Sequence, residues 1–325
     1  MWKAVTVEEW AGQRKAGLSS VKGAVEQIIE RVREEGDDAL FELTEQLDHI
    51  RLEQLTVSDE ERDAAYEKVD TRLVGALIEA GARIEQFHEM QLPRGLWLEE
   101  TEPGIILGVK TTPLERIGAY VPGGRAAYPS TALMCTVPAI VAGVPSICCC
   151  SPPPVHPLTL VALDIAGVEE IYQVGGAQAI AAMAIGTRTI APVQKIVGPG
   201  NLYVTAAKMQ LREYAEIDFP AGPSEIAIIA DETADPEFIA ADIVAQAEHD
   251  PHAAGLLVTT EESLAIKVGR RVDLMARGSF RRETVIKALA NCGYLVVGDT
   301  REAVQVINRI APEHLSIQVA DPVPV

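Results

Sequence analysis

The chain has 325 residues, of which 48% are hydrophobic and 23% charged, a globular composition long enough for two packed cores rather than one. Its 47 acidic and 28 basic residues give a formal net charge of −19. Such a surface repels phosphate backbones, so we expect no nucleic-acid partner, and it also repels an anionic dinucleotide at long range.

The sequence carries no sign of a membrane span or an export signal. The first ten residues lack the basic region and apolar run that make a signal peptide. The most apolar stretch, residues 132–150, is interrupted by Pro138, Gly143 and Pro145, whereas a membrane helix needs about 20 unbroken apolar residues. We therefore predict a cytoplasmic protein with no membrane partner.

Helical periodicity dominates residues 21–89. Within residues 21–32, apolar side chains recur at every third or fourth position with charged residues between them. No motif that would carry chemistry stands out in this part of the chain. We predict that residues 1–103 form an N-terminal helical region, which packs with the second of the two units described next.

From Pro103-Gly104 onward, short apolar runs alternate with helical segments. The predicted strands lie at residues 105–109, 117–121, 146–150, 170–174, 195–197, 216–219, 225–230, 255–259, 294–297 and 315–319. Helical patterns separate most of them, notably at residues 236–248, 261–275 and 301–310. This alternation predicts parallel sheets with right-handed crossovers. The predicted fold class is therefore α/β, with Rossmann-like units at residues 104–222 and 223–325.

Three Gly-rich turns lie between a predicted strand and a helix, at residues 121–124, 174–178 and 197–201. Glycine allows a ligand to approach the backbone closely, and the helix N-terminus behind it offers N–H donors and partial positive charge. Such turns gather at the carboxyl edge of an open α/β sheet. Tight turns alone would also explain the glycines, but three together favour a nucleotide-like or anionic ligand. The usual dinucleotide fingerprint GxGxxG is absent from the sequence, so another binding mode is expected.

Three of the five cysteines are consecutive, at residues 148–150 on a predicted strand, where successive side chains point to opposite faces. Two interpretations exist: reduced buried thiols that act as small hydrophobic residues, or a nucleophilic Cys149. The first is favoured, because the sequence places no base beside Cys149 and contains no CxxC pair.

Two polar pairs complete the candidate site residues. Gln246 and His249 lie three residues apart near the end of a predicted helix, and both side chains can bind metal, although a solvated helix face is the alternative. Glu313 and His314 offer two adjacent groups that move protons. Neighbours on an extended segment point apart, so a shared site requires a turn at Pro312; a surface dipeptide is the alternative.

Taken together, these motifs resemble those of the histidinol dehydrogenase family, and they occur in family order along essentially the whole chain. The matching stretches are VREEGD (32–37), YVPGG (120–124), VGGAQAIAA (174–182), VGPGN (197–201), AGPSE (221–225), AQAEHDP (245–251) and APEHL (311–315).

The resemblance implies a zinc- and NAD-dependent oxidation of L-histidinol to L-histidine through the aldehyde, with two NAD molecules reduced in turn, as the last step of histidine biosynthesis. By similarity, Tyr120, Gln178 and Asn201 hold NAD, while Ser224 contacts the substrate. Zinc would orient the substrate more than accept electrons, and the hydride chemistry would belong to NAD.

The remaining roles also follow from the resemblance. Gln246 and His249 would bind zinc and touch the substrate. Glu313 and His314 would form the acid–base pair, with His314 beside the substrate taking the alcohol proton and Glu313 activating the water.

Family members continue beyond Val325 with further substrate and zinc ligands, so we expect a fragment of a longer homodimeric enzyme, with a naturally shortened relative as the alternative. In either case the 325-residue chain should bind zinc weakly. Two other functions stay open at this stage. One is the oxidation of another small polar alcohol, such as a sulfonated diol, by NAD. The other is a non-catalytic protein that only binds NAD.

Overall fold

A computed structural model of the chain describes residues 2–124, 127–219 and 225–325, apart from the side chains of residues 11–18. It divides into two compact units, which we call the first unit (residues 21–220) and the second unit (residues 1–20 and 221–325). Helix α1, Val7–Glu35, contains the division between residues 20 and 21.

The first unit contains a parallel five-stranded sheet, a separate two-stranded hairpin and seven further helices in its described part. Its strands are β1 Leu96–Glu102, β2 Ile105–Lys110, β3 Arg116–Tyr120, β4 Ser146–Cys150, β5 Glu170–Tyr172, β6 Lys195–Val197 and β7 Glu216–Ile217. Its helices are α2 Asp37–Asp48, α3 Asp59–Glu67, α4 Thr71–Glu89, α5 Pro129–Val141, α6 Pro157–Ile165, α7 Gly176–Ile185 and α8 Leu202–Gln210.

The five-stranded sheet has the order β5-β4-β3-β6-β7, and all its pairings are parallel. The strand that comes first along the chain, β3, is central. The next two strands extend the sheet on one side, and the last two extend it on the other. The direction of winding therefore reverses between β3 and β6, which makes their carboxyl ends a topological switch point.

The central strands of the first unit are apolar beyond their first residues because both faces of the sheet are covered. Ala119 on β3 and Cys149 on β4 are completely buried, and they share one core cluster with Leu133 of α5, Leu163 of α6 and Ile171 of β5. All three consecutive cysteines are buried, with both faces of β4 in protein.

The second unit contains a parallel four-stranded sheet. Its elements in chain order are β8 Glu225–Ala230, α9 Pro236–Ala247, β9 Ala254–Thr259, α10 Glu262–Gly278, α11 Arg282–Ala288, β10 Gly293–Val296, α12 Thr300–Ile310 and β11 His314–Gln318. The strand order is β10-β9-β8-β11. The predicted α/β class with parallel sheets is confirmed.

Alternation along β8 explains how this sheet is covered on both faces. Ile228 belongs to the core cluster that includes α9 and α10, whereas its neighbour Ile229 belongs to the cluster that includes α12. Successive side chains on a strand point to opposite faces, so one apolar run serves two helical layers.

The N-terminal helical region differs from its prediction, because only its first 20 residues pack with the second unit. Trp2 stacks on Tyr294 at a centroid distance of 5.9 Å, and its Nε1 donates a hydrogen bond of 2.9 Å to the Ala265 carbonyl. In contrast, the segment before α3 joins the first unit, where the Val57 N–H donates to the Ile171 carbonyl at 2.8 Å.

Residues 105–109 also differ from the prediction that they belong to a parallel sheet. They form β2, which pairs antiparallel with β1, a strand that we did not predict. Pro103 and Gly104, with φ of +81° at Gly104, turn the chain back on itself, so the strand pairs with its immediate predecessor. The predicted border between residues 103 and 104 therefore falls inside a hairpin.

Candidate active site

The carboxyl ends of β3 and β6 form the switch point of the first sheet, and two predicted NAD residues lie there. Tyr120 is the last residue of β3, and Asn201 follows β6 as the N-cap residue of α8. The Oδ1 atom of Asn201 accepts hydrogen bonds from the N–H groups of Tyr203 at 3.0 Å and Val204 at 3.1 Å. A ligand contact from Asn201 would therefore come from its Nδ2 donor.

The third predicted NAD residue, Gln178, is connected to Tyr120 through one backbone group. The N–H of Gly176, the first residue of α7, donates a hydrogen bond of 3.0 Å to the Tyr120 hydroxyl. Gly176 has φ of +66°, and a Cβ there would lie 2.7 Å from Oε1 of Gln178. The glycine thus lets the Gln178 side chain fold back over the start of α7.

The side-chain oxygen of Gln178 is paired with no donor among the described residues of this edge. Gln178 is 1% exposed, and within the described part of the chain its Oε1 atom has no hydrogen-bond partner. Leaving such an oxygen buried and unpaired costs free energy. Tyr120 is also buried, which raises the pKa of its hydroxyl and keeps it protonated. A ligand with hydroxyl or amide donors would satisfy Gln178.

The cysteines beside this edge are not nucleophiles. Burial raises the pKa of the Cys148 thiol to about 11 and that of Cys149 well above its usual range. A thiol attacks only as the thiolate, so these side chains stay inert near neutral pH. Their structure agrees with buried reduced thiols and not with a nucleophilic Cys149.

The structure brings the predicted acid–base pair together at the amino end of β11 in the second unit. The Nε2 atom of His314 lies 3.7 Å from Oε1 of Glu313, and both side chains reach solvent, with exposed fractions of 56% and 33%. Ala311 ends α12 with φ of 49°, a rare conformation for a residue other than glycine. This turn before Pro312 lets the two neighbouring side chains converge.

Glu313 is also held by the neighbouring strand. Its N–H donates a hydrogen bond of 3.2 Å to Oε1 of Glu225, the buried first residue of β8. His314 pairs in register with Ile226 of the same strand. The central strand of the sheet thus fixes the backbone of the pair, while the side chains remain accessible.

The predicted zinc residues lie at the same amino edge of this sheet, where α9 ends and leads into β9. Gln246 is nearly buried, and its Nε2 atom has no hydrogen-bond partner in the described part of the chain. His249 is exposed, and its N–H donates to the Gln246 carbonyl at 3.2 Å. Gln246 therefore presents a second unsatisfied amide.

Zinc favours four ligands, and Gln246 with His249 supplies two. Among residues 2–124, 127–219 and 225–325, no group of three or more His, Cys, Asp and Glu side chains is arranged to hold a metal ion. The described residues therefore do not complete a zinc site. Ser224, the predicted substrate contact, lies outside the described residues.

Sequence reasoning missed two residues at the first sheet's switch point. Lys208 of α8 is 2% exposed, and its Nζ atom lies 2.7 Å from Oδ1 of Asp218. One feature of the sequence could have indicated that Lys208 is buried. It shares a helix face with Val204 and Leu211, which are both apolar and buried. A lysine on an apolar face is expected to have a buried partner.

In the part of the chain that the structure describes, no helix is both long and apolar enough to cross a membrane.

Comparison with known proteins identifies close relatives. The family model for histidinol dehydrogenase matches residues 12–325. The histidinol dehydrogenase of Methanosarcina barkeri is 49% identical over 313 residues, which are 95% of this chain and 72% of that protein. That of Methanopyrus kandleri is 50% identical over 316 residues, 94% of this chain and 73% of that protein. The crystal structure of histidinol dehydrogenase from Elizabethkingia anophelis superposes with a TM-score of 0.86 at 35% identity, covering 97% of this chain and 75% of that chain.

Proposed function

Because this chain belongs to the histidinol dehydrogenase family, we propose that it catalyses the NAD-dependent oxidation of L-histidinol to L-histidine, the last step of histidine biosynthesis. The observation that carries the proposal is the 49% identity over 95% of the chain. A biosynthetic enzyme of this kind would act in the cytoplasm.

The cofactor would bind at the carboxyl edge of the first sheet. Tyr120, Gln178 and Asn201 are the residues that would hold it, and the unpaired Oε1 of Gln178 fits a ligand rich in hydroxyl and amide donors. The N-termini of α7 and α8 favour the negative charge of a pyrophosphate. When bound, NAD supplies the hydride acceptor for both oxidation steps.

The proton transfers would be carried out by the pair at the amino edge of the second sheet. His314 would take the proton from the alcohol of L-histidinol as the first hydride leaves. Glu313 would then activate the water that adds to the aldehyde, which gives the hydrate that is oxidised in the second step. The 3.7 Å between the two side chains supports their action on one reacting carbon.

Gln246 and His249 would be the zinc ligands that the described part of the chain contributes, and both would also touch the substrate. The Nε2 atom of Gln246 has no partner in the described part of the chain, and a flip of this amide would put Oε1, the atom that can bind a metal, in its place. In the described part of the chain these two residues are an incomplete set for an ion that favours four ligands. Ser224 would contact L-histidinol, and the working protein would be a homodimer.

The proposal is tested by measuring NADH formation from L-histidinol and from L-histidinal, with zinc added. His314→Gln should reduce turnover of both substrates by about 10²–10⁴-fold, the usual contribution of a general acid–base group. Glu313→Gln should reduce oxidation of the aldehyde more than oxidation of the alcohol, since water enters only in the second half.

His252→Gln is the matched control, because His252 is an exposed histidine near the same edge of the sheet. It should leave both rates unchanged. If the unchanged chain oxidises a sulfonated diol but not L-histidinol, the substrate assignment is wrong. Near-normal turnover of both substrates by His314→Gln would contradict the acid–base assignment.

A further inference from the structure

A buried ion pair lies directly beneath the turn that leads from β6 to Asn201. Lys208 is 2% exposed, and its Nζ donates hydrogen bonds to the Gly198 carbonyl at 2.5 Å and to Oδ1 of Asp218 at 2.7 Å. The other carboxylate oxygen of Asp218, Oδ2, accepts the N–H of Gly198 at 2.7 Å. The pair therefore holds both the N–H and the C=O of Gly198.

Gly198 has a conformation that glycine adopts readily but that other residues rarely adopt. Its φ is +109°, and a Cβ at this position would collide with the Tyr120 carbonyl at the end of β3. Pro199 and Gly200 then connect Gly198 to Asn201, whose Oδ1 caps α8. The ion pair thus fixes the segment that joins the two strand ends of the switch point.

Stability alone is a poor explanation for such a pair. Removing two charges from water is costly, and replacing a buried ion pair by apolar residues is often neutral or stabilising. Among the described residues, however, the hydrogen bonds that these two side chains make outside their own pair go to Gly198 and to the N–H of Phe219, 2.8 Å from Asp218. A fixed turn lowers the conformational entropy that a bound ligand would otherwise have to remove.

We propose that Lys208 and Asp218 are positioning residues of the cofactor site, which hold the turn at residues 198–201 in the conformation that receives NAD. This inference rests on the proposed NAD site. Neither side chain needs to touch the cofactor: both act through Gly198. The pair should therefore govern the affinity for NAD, and the rate of the chemical step at saturating NAD should depend on it little.

The test compares two ion pairs of the same sheet. Arg116 and Glu170 form the control pair at the amino edge, where Arg116 donates two hydrogen bonds of 2.6 Å to the Glu170 carboxylate. Lys208→Met and Arg116→Met each remove one partner from an ion pair, so both should lower the thermal midpoint. By calorimetric titration, Lys208→Met should raise the Kd for NAD about tenfold, and Arg116→Met should leave it unchanged.

A second variant separates positioning from stability. Lys208→Met/Asp218→Asn leaves no unpaired charge, and the amide oxygen that replaces the carboxylate would still accept the Gly198 N–H, but the Gly198 carbonyl is no longer held. The thermal midpoint should recover in part relative to Lys208→Met, while the Kd for NAD stays about tenfold raised. At saturating NAD, kcat should stay within about twofold of the unchanged chain.

Recovery of the NAD affinity together with stability would show that the pair is only structural, and the inference would fail. An unchanged Kd in Lys208→Met would overturn it as well, while the proposed function stands. If the unchanged chain binds no NAD, the proposed cofactor site is wrong, and the inference that rests on it is wrong as well.

Discussion

At the scale of single residues, Gln178 combines two properties that rarely coincide in a stable core. It is 1% exposed, and its Oε1 has no hydrogen-bond partner within the described part of the chain. An unsatisfied buried oxygen costs about 1–3 kcal/mol, whereas an apolar side chain of similar shape would not. A buried polar side chain that lowers stability at the carboxyl edge of a sheet is typical of a ligand-binding residue.

Gln178→Leu should therefore have opposite effects on stability and on binding. We expect the thermal midpoint to rise or stay constant, because the unpaired oxygen is removed. The Kd for NAD should increase about two- to twelvefold, the equivalent of a neutral hydrogen bond worth about 0.5–1.5 kcal/mol. Calorimetric titration and thermal unfolding measure the two effects.

The same substitution at the other end of β6 is its control. Gln194 is exposed, and its Oε1 accepts the N–H of Glu115 at 2.6 Å. Gln194→Leu should leave the affinity for NAD unchanged. Normal NAD binding by Gln178→Leu would mean that the cofactor lies elsewhere and that this oxygen has another partner.

Sequence reasoning could place Tyr120, Gln178 and Asn201 at one sheet edge, because parallel strands bring the turns that follow them to the same side. It could not predict that Gln178 folds over Gly176, since that depends on a positive φ and on side-chain packing. Lys208 was missed for a related reason: its apolar helix face indicated burial, but its partner Asp218 lies after β7, and only the fold shows that the two side chains meet.

At the scale of elements, the hairpin of β1 and β2 stands out because every residue of both strands is exposed. Leu98 and Ile106 are each 64% exposed, and Trp97 is 40% exposed. A two-stranded hairpin is at best marginally stable in water, and an uncovered apolar edge invites pairing with another chain. In the proposed homodimer, the second copy would cover the exposed hairpin.

Charge decides which edge two copies would share. Antiparallel pairing of β1 with itself would bring Glu99 opposite Glu99, and like charges directly opposite each other are destabilising. Pairing of β2 with itself about Leu107 places Ile106 opposite Gly108 and Ile105 opposite Val109, residues that share a face of the sheet, and brings no like charges together. We therefore expect two hairpins to join through β2 into one four-stranded sheet.

Ile106→Lys should weaken self-association, because it places a charge in the paired edge. Glu99→Lys, on the opposite edge, is the control and should leave the dimer intact. Analytical ultracentrifugation over a range of concentrations gives the dimer dissociation constant of each variant. A dimer that Ile106→Lys leaves unchanged would show that β2 is not in the interface.

The hairpin also shows which strand and which strand pairing could not be predicted from the sequence. The short apolar run of β2 correctly indicated a strand, but its partner β1 is rich in glutamate, which is depleted in strands. The turn at Pro103-Gly104 determined which strand β2 pairs with. The pattern of apolar residues alone carries no information about this pairing. The parallel strands, in contrast, were predictable because each is a short apolar run between helices.

At the scale of the whole molecule, two electrostatic effects oppose each other. The net charge of −19 repels the negatively charged pyrophosphate of NAD at long range. The N-termini of α7 and α8 attract it, but this effect falls off within the first turn of a helix. An approaching cofactor should therefore meet repulsion first and attraction only at contact.

Salt should separate the two effects in the kinetics of cofactor binding. The Debye length falls from about 30 Å at 0.01 M ionic strength to about 8 Å at 0.15 M, so salt screens the distant charges more than the contacts within the site. We expect the association rate of NADH, followed by its fluorescence in a stopped-flow instrument, to rise over this range while the dissociation rate changes little. The usual steering of a ligand by an oppositely charged protein gives a falling rate instead. A falling association rate here would mean that the field at the edge of the first sheet is positive well beyond the helix ends, and that the distribution of the charges outweighs their sum.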